Sequence, residues 1–155
     1  MVTMKLSGNT ILITGGASGI GLAFAEQFLK DGNEVIVVGR REEKLAEAKR
    51  KYPQLHTKVC DVSVEKDRIQ LYEWVIKEFP QINVFVNNAG IQQRVNLLNA
   101  KNDWRFYQNE LAINVEGPIH LSMPYASTSY KTKRSNHYQH YIRTSNSTRC
   151  MGAYL

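Results

Sequence analysis

A short apolar run that ends in a glycine-rich turn constrains the fold of this chain more than any other feature. Residues 10–14, Thr-Ile-Leu-Ile-Thr, are aliphatic or β-branched, which is typical of a buried strand. Glycines follow at positions 15, 19 and 21, and from Ile20 the apolar residues recur at helical spacing. The stretch therefore predicts a strand, a tight turn and a helix in immediate succession.

Each glycine of this turn has its own expected use. Gly15 permits a tight turn, Gly19 lets an anion approach the backbone, and Gly21 lets the helix pack close to the strand. The free amides of residues 18–21 and the positive end of the helix dipole suit a pyrophosphate. The alternative is a plain strand-turn-helix with incidental glycines, but here strand and helix lie on the sides that the motif requires.

Strands and helices are predicted to alternate along most of the chain. Strands are predicted at 10–14, 34–39, 56–60 and 82–86, and helices at 20–30, 42–51, 64–79 and 103–121. Ser63 is the predicted N-cap of the third helix. The alternation predicts an α/β fold with a parallel sheet and right-handed crossovers.

Charge divides the chain into two parts. The net charge is +6, but residues 123–155 hold five of the 20 basic residues and none of the 14 acidic ones. We therefore predict a globular part at 1–122 and an irregular polar and basic tail at 123–155. The tyrosines of the tail leave a nucleic-acid-binding arm as an alternative, which its sparse charges disfavour.

Composition also limits the compartment and the partners. The chain has no apolar stretch long enough to span a membrane, and residues 1–6 lack the apolar segment of a signal peptide. Cys60 and Cys150 form neither a CxxC pair nor a metal-binding spacing. We expect a cytoplasmic protein without a metal site and without a membrane or nucleic-acid partner.

Four motifs occur in order along residues 5–121. They are TGGASGIG at 14–21, Asp61-Val62 after the third strand, NNAG at 87–90, and Asn114 within Ile-Asn-Val-Glu-Gly-Pro. Together they resemble the short-chain dehydrogenase/reductase family. The resemblance implies an incomplete Rossmann fold with about four parallel strands in the order 3-2-1-4. It also implies hydride transfer between a nicotinamide cofactor and a small carbonyl or alcohol substrate, in relatives that are often homo-oligomers.

The resemblance also implies roles for individual residues. The implied cofactor-binding residues are Gly15, Ser18, Gly19, Ile20, Gly21, Asp61, Val62, Asn87, Asn88, Ala89 and Gly90. Asp61 would bond the adenine amino group, Val62 would cover the ring, and one asparagine of the NNAG motif would tie the central strands together. Asn114 is the one catalytic candidate, at a helix kink where it would hold a water of the proton relay. The alternatives are a simple turn at 87–88 and an Asn114 side chain bonded to its own helix.

Charge at the end of the second strand bears on the choice of cofactor. Family members that prefer NAD usually place an Asp there, but this chain has Gly39 followed by Arg40 and Arg41. A guanidinium can hold a 2′-phosphate with paired hydrogen bonds, whereas a carboxylate would repel it. We therefore expect NADP(H), with NAD as the alternative if the two arginines are only solvated charges at a helix entry.

The family's Tyr-x-x-x-Lys pair is absent from this sequence. Ser129 stands four residues after Tyr125, and Arg134 stands four residues after Tyr130. The expectation is a truncated, inactive reductase. A non-catalytic dinucleotide-binding module and a non-functional remnant are the alternatives.

The tail itself permits a second interpretation. When residues 131–145 are back-translated and read one nucleotide later, one permitted sequence is Lys-Gln-Lys-Glu-Ala-Ile-Ile-Ile-Asn-Ile-Thr-Ser-Gly-Leu-Ala. This reading restores a fifth buried strand followed by a Ser-containing turn like that of the family. A shifted reading frame and a genuine polar tail therefore both remain open at this point.

Overall fold

The computed structural model describes residues 6–93, 104–123 and 140–143. Its strands are β1 (Thr10–Thr14), β2 (Glu34–Gly39), β3 (His56–Val59), β4 (Val84–Asn87) and β5 (His140–Arg143). Its α-helices are α1 (Gly19–Lys30), α2 (Glu42–Lys51), α3 (Glu65–Glu78) and α4 (Trp104–Leu111). The four predicted strands and the first three predicted helices are present within one or two residues of their predicted limits.

The strands form one parallel sheet in the order β3-β2-β1-β4-β5. The predicted order 3-2-1-4 is confirmed, with Leu12 of β1 paired to Ile36 of β2 on one side and to Phe85 of β4 on the other. Strand β5 continues the sheet beside β4. The printed sequence did not predict this strand, and the rest of the predicted irregular tail lies outside the described residues.

Both faces of the sheet are covered by helices. On one face Leu12 and Phe85 pack in a buried cluster with Leu71 and Val75 of α3. On the other face Ile11 and Ile13 belong to a cluster that includes residues of α1 and α2. All five residues of β1 are buried, which explains why the strand shows no polar alternation.

The start of α3 differs from the prediction. The N-cap residue is Val64, which makes no side-chain cap hydrogen bond. The hydroxyl and the amide of Ser63 instead donate to Oδ1 of Asp61 at 2.7 and 2.9 Å. The predicted N-cap was wrong because the carboxylate two residues earlier binds the serine in a tight turn.

The helix predicted at 103–121 is not one regular α-helix. After α4 the chain makes a π-helical segment, Ala112–Glu116, and α-helical residues then continue from 117 to 123. A π-helical segment adds one residue to the turn and rotates the side chains that follow it. Asn114, which was expected at a helix kink, lies within this π-helical segment.

In the part of the chain described here, no helix combines the length and the apolar character needed to cross a membrane. Within the same residues, no group of three or more His, Cys, Asp or Glu side chains is arranged to hold a metal ion.

Candidate functional site

A cleft of about 460 Å³ opens where the parallel strands end. The residues that line it are Gly15, Ala17, Ser18, Gly19, Ile20, Gly21, Gly39, Arg40, Arg41, Cys60, Asp61, Val62, Asn88, Ala89, Gly90, Ile91 and Ile113. Most of them directly follow the carboxyl ends of β1, β2, β3 and β4. This is the crevice in which open α/β sheets bind their ligands.

Twelve of the thirteen residues predicted to bind a cofactor line this cleft. The exception is Asn87, which is buried and donates from Nδ2 to Oγ of Ser122 at 3.2 Å. The side chain of Asn87 therefore serves the contact between β4 and the following helix rather than the wall of the cleft.

The glycine turn packs closely on the end of β4. Gly15 has a φ of +66°, and a Cβ placed on it would lie 3.0 Å from Cα of Ala89. A Cβ on Gly21 would lie 2.4 Å from both Nδ2 of Asn88 and the carbonyl oxygen of Gly15. Gly19 differs, because its φ is +55° and nothing lies within 4 Å of the position of a Cβ. Gly15 and Gly21 thus close the turn, whereas Gly19 leaves space in the cleft.

The amino end of α1 provides backbone donors to the cleft. Its first intrahelical hydrogen bond runs from the amide of Leu22 to the carbonyl of Ser18, at 3.3 Å. The amides of Gly19, Ile20 and Gly21 precede that bond and have no acceptor within the helix. Together with the helix dipole, they form a site that favours an anion.

Two exposed arginines follow the end of β2 on the other side of the cleft. Nη2 of Arg41 donates to Oγ of Ser18 at 2.9 Å, so this guanidinium bridges the entry of α2 and the glycine turn. Arg40 is exposed beside it. The two side chains place two positive charges on this rim of the cleft.

Asn88 joins the two central strands. Its Nδ2 donates to the carbonyl oxygens of Thr14 and Gly15 at 3.0 and 3.2 Å. In return, the Oγ1 of Thr14 accepts hydrogen bonds from the amides of Asn88 and Ala89 at 3.1 and 3.0 Å. These four bonds fix the end of β4 against the turn that follows β1.

Asp61 lies at the edge of the cleft after β3. Its Oδ1 accepts the two hydrogen bonds from Ser63, and its amide donates to Oδ2 of Asp67 at 3.0 Å. The neighbouring Cys60 is a buried free cysteine. Burial raises the pKa of its thiol to about 12, and the carboxylates of Asp67 and Asp61 add to that rise. The thiol is therefore a protonated part of the wall and not a nucleophile.

Asn114 ties the π-helical segment to the chain that follows β4. Its Oδ1 accepts from the amide of Ile91 at 2.9 Å, and its Nδ2 donates to the carbonyl of Ile91 at 2.7 Å. Both hydrogen bonds join Asn114 to a residue outside its own helix. Asn114 itself does not line the cleft, but its neighbour Ile113 does.

Five lining residues were not among the predicted ones. They are Ala17, Gly39, Cys60, Ile91 and Ile113. Each is adjacent in sequence to a predicted site residue, so extending every motif by one position would have found all five.

Comparisons with known proteins agree with the motifs. The family model for short chain dehydrogenases matches residues 9–135. The uncharacterized oxidoreductase DltE of Bacillus subtilis (strain 168) is 49% identical over 119 residues, which are 77% of this chain and 47% of that protein. The chain thus spans about half the length of the curated relatives it matches.

Solved structures show the same fold. The L-sorbose reductase of Gluconobacter frateurii, solved with NADPH and L-sorbose, is 30% identical with a TM-score of 0.68, and the match covers 76% of this chain and 46% of that one. The 3-ketoacyl-(acyl-carrier-protein) reductase of Brucella melitensis, solved with NADH, has a TM-score of 0.76 at 23% identity. That match covers 88% of this chain and 57% of the reductase, and it concerns the fold alone. Since the family match extends over most of the chain, this protein belongs to the short-chain dehydrogenase/reductase family.

Proposed function

We propose that this chain is the dinucleotide-binding part of an NADP(H)-dependent oxidoreductase that transfers hydride between its cofactor and a small carbonyl or alcohol. The observation that carries the proposal is the cleft, where backbone amides of the glycine turn and two arginines meet at the ends of the strands. The amides of residues 19–21 would bind the pyrophosphate, and the open space at Gly19 lets it approach. Asp61 and Val62 would hold the adenine.

The positive rim supports NADP(H) as the preferred cofactor. Arg40 and Arg41 line the cleft after β2, so their guanidinium groups would bind a 2′-phosphate, and Gly39 brings no carboxylate to repel it. A charge-assisted pair of this kind should favour NADPH over NADH by roughly 1.5–3 kcal/mol, which is about tenfold or more in affinity.

Position 39 offers a matched test of this preference. A Cβ there has only Cβ of Ala17 within 4 Å, at 3.9 Å, so a side chain fits. We expect Gly39→Asp to reverse the preference toward NADH and the neutral Gly39→Asn to leave it unchanged, both measured by fluorescence titration. Arg40→Ala should weaken NADPH binding alone, whereas Arg50→Ala, on the exposed side of α2, should change neither affinity. Equal affinities for both cofactors in the parent chain would refute the preference.

The printed polypeptide contains no Tyr-x-x-x-Lys. We propose that it binds the cofactor but does not turn it over by itself, because a proton-transfer group typically contributes ~10²–10⁴-fold to the rate. The competing proposal is a non-catalytic dinucleotide-binding module, which would likewise bind the cofactor without turning it over. Steady NADPH oxidation with any member of a carbonyl panel, abolished by Gly19→Trp, would contradict both statements. A chain that purifies only in an unfolded form would instead indicate a non-functional remnant.

A homo-oligomer and a cytoplasmic location are part of the same proposal. Leu111, Val115, Ile119 and Met123 recur every fourth residue and are 43–64% exposed, which favours contact with a second copy of the chain. The free, buried Cys60 suits a reducing compartment. Light scattering of the parent chain and of Val115→Glu would test the first point, and cell fractionation would test the second.

A further inference from the structure

Arg68 of α3 is the largest fully buried side chain among the described residues, with 2% of its surface exposed. Its three nitrogens reach three different partners. Nη1 donates to the carbonyl oxygen of Val62 at 2.7 Å, Nη2 to Oε1 of Glu116 at 2.9 Å, and Nε to Nδ1 of His120 at 3.1 Å. A buried guanidinium is costly unless its donors are satisfied, so these bonds define one orientation of the group.

One partner of Arg68 lines the cleft, and the other two lie on the helical stretch that carries Ile113, a second lining residue. Val62 lines the cleft after β3. Glu116 is the last residue of the π-helical segment that contains Asn114, and His120 lies one turn further on. The planar guanidinium therefore connects the segment after β3 with the helix that carries Asn114.

The backbones of Gly117 and Val62 lie in close contact where the helix meets the loop after β3. A Cβ on Gly117 would lie 2.8 Å from the carbonyl oxygen of Val62, the same oxygen that accepts from Arg68. The amide of Gly117 closes the π turn by donating to the carbonyl of Ala112. Helix and loop thus touch at Val62, and Arg68 holds both sides of that contact.

We infer that Arg68 is a positioning residue, which sets the π-helical segment and Val62 relative to each other and thereby shapes the adenine side of the cleft. Apolar residues would fill the same space at a lower desolvation cost. They would not specify a single arrangement of three partners. The inference rests on the proposed cofactor site, because its effect on affinity requires that the cleft binds a dinucleotide.

The test compares Arg68→Met with Val75→Ala. Met keeps much of the volume but loses all three donors, whereas Val75 is fully buried in the same helix and makes none of these contacts. Hydrogen exchange of the ligand-free chain should be faster at 61–62 and 112–117 in Arg68→Met only. NADPH affinity, measured well below the melting temperature of each variant, should fall about tenfold in Arg68→Met and stay within about twofold of the parent in Val75→Ala.

A second pair keeps the test informative if Arg68→Met does not fold. The side chain of Glu116 is 63% exposed, so changes there leave the core intact. Glu116→Ala should accelerate exchange at 112–117, and Glu116→Gln, which retains the acceptor oxygen, should not. The inference is overturned if hydrogen exchange at 61–62 and 112–117 is no faster in Arg68→Met than in Val75→Ala. It is also overturned if Arg68→Met binds NADPH as tightly as the parent chain. If the parent chain binds neither NADPH nor NADH, the proposed function fails, and the exchange comparison alone decides the role of Arg68.

Discussion

Two glycines of the same turn have opposite consequences at the residue scale. A methyl group on Gly21 would collide with Asn88 and with the carbonyl of Gly15, whereas a methyl group on Gly19 would meet nothing. We expect Gly21→Ala to lower the free energy of unfolding by about 2 kcal/mol or more. Gly19→Ala should cost only about 1 kcal/mol, from its positive φ, but should reduce dinucleotide affinity about tenfold.

Urea unfolding and cofactor titration of both glycine variants check this pair of predictions. For each variant, the loss of unfolding free energy is compared with the loss of cofactor affinity: the first should dominate in Gly21→Ala and the second in Gly19→Ala. A Gly21→Ala protein as stable as the parent would contradict the close packing at Gly21. A Gly19→Ala protein with full affinity would contradict the role of Gly19 in cofactor binding.

The thiol of Cys60 predicts how stability depends on pH. Burial raises its pKa from 9.0 to about 12, so the native state keeps a proton that the unfolded chain loses near its ordinary value. The unfolded state then binds fewer protons, and stability should decline as pH rises from about 9 toward 12, by at most about 1.4 kcal/mol per pH unit. Unfolding curves of the parent and of Cys60→Ser between about pH 9 and pH 11 measure this, and equal slopes would contradict it.

At the scale of elements, three asparagines connect the amino ends of β1, β2 and β4, opposite the cleft. Oδ1 of Asn33 accepts from the amide and from Nδ2 of Asn9, at 3.0 and 2.9 Å. Nδ2 of Asn83 donates to Oδ1 of Asn9 at 3.0 Å. Each residue directly precedes its strand, so this network fixes where the parallel strands begin relative to one another.

Asn33 is the residue of this network whose loss should cost most. Its Nδ2 also donates to the carbonyl oxygens of Leu6 and Phe28, both at 2.9 Å, and the residue is 6% exposed. We expect Asn33→Ala to destabilise the fold by about 2–3 kcal/mol, because the buried Asn9 loses the acceptor of two hydrogen bonds and two backbone carbonyls lose their donor. The exposed Gln70→Ala on α3 serves as the control and should change stability by less than about 0.5 kcal/mol. Because the network lies far from the cleft, a change in cofactor affinity in Asn33→Ala would argue against this assignment.

At the scale of the whole molecule, strand β5 completes the alternation of strands and helices. The helical residues end at 123 in the described region, and His140–Arg143 then pairs in parallel with β4. Beside it, Val84, Phe85 and Val86 are at most 2% exposed. A strand is therefore present in the part of the chain whose composition predicted an irregular tail.

The unusual composition of this region leads to a prediction about the gene. We expect its coding DNA, read one nucleotide later across codons 131–145, to give an open frame with an isoleucine-rich run, and a Tyr-x-x-x-Lys further downstream. The reason is that buried parallel strands read as apolar runs. The shifted reading gives such a run at 136–140, which overlaps β5 at residue 140. Sequencing the gene and its downstream flank decides this. Stop codons or a polar run in that frame would instead establish the tail as genuine.

The sequence by itself determined the elements of the globular part, whereas the order of its first four strands followed from the family that its motifs resemble. Local information suffices for the elements, because buried parallel strands read as apolar runs and helices show their own period. The motif residues were also predictable, since the carboxyl ends of parallel strands meet at one edge of the sheet. That is why residues as distant as Gly15 and Gly90 line one cleft.

Tertiary structure alone decided which residues hold that cleft in shape. The sequence could not show that Asn88 rather than Asn87 binds the turn after β1, or that Asn114 bonds to Ile91. Nor does anything in the pattern of α3 mark Arg68, whose partners Glu116 and His120 lie about 50 residues away. Such contacts depend on how helices and loops approach one another in space, and the spacing of residues along the chain does not predict which distant residues come into contact.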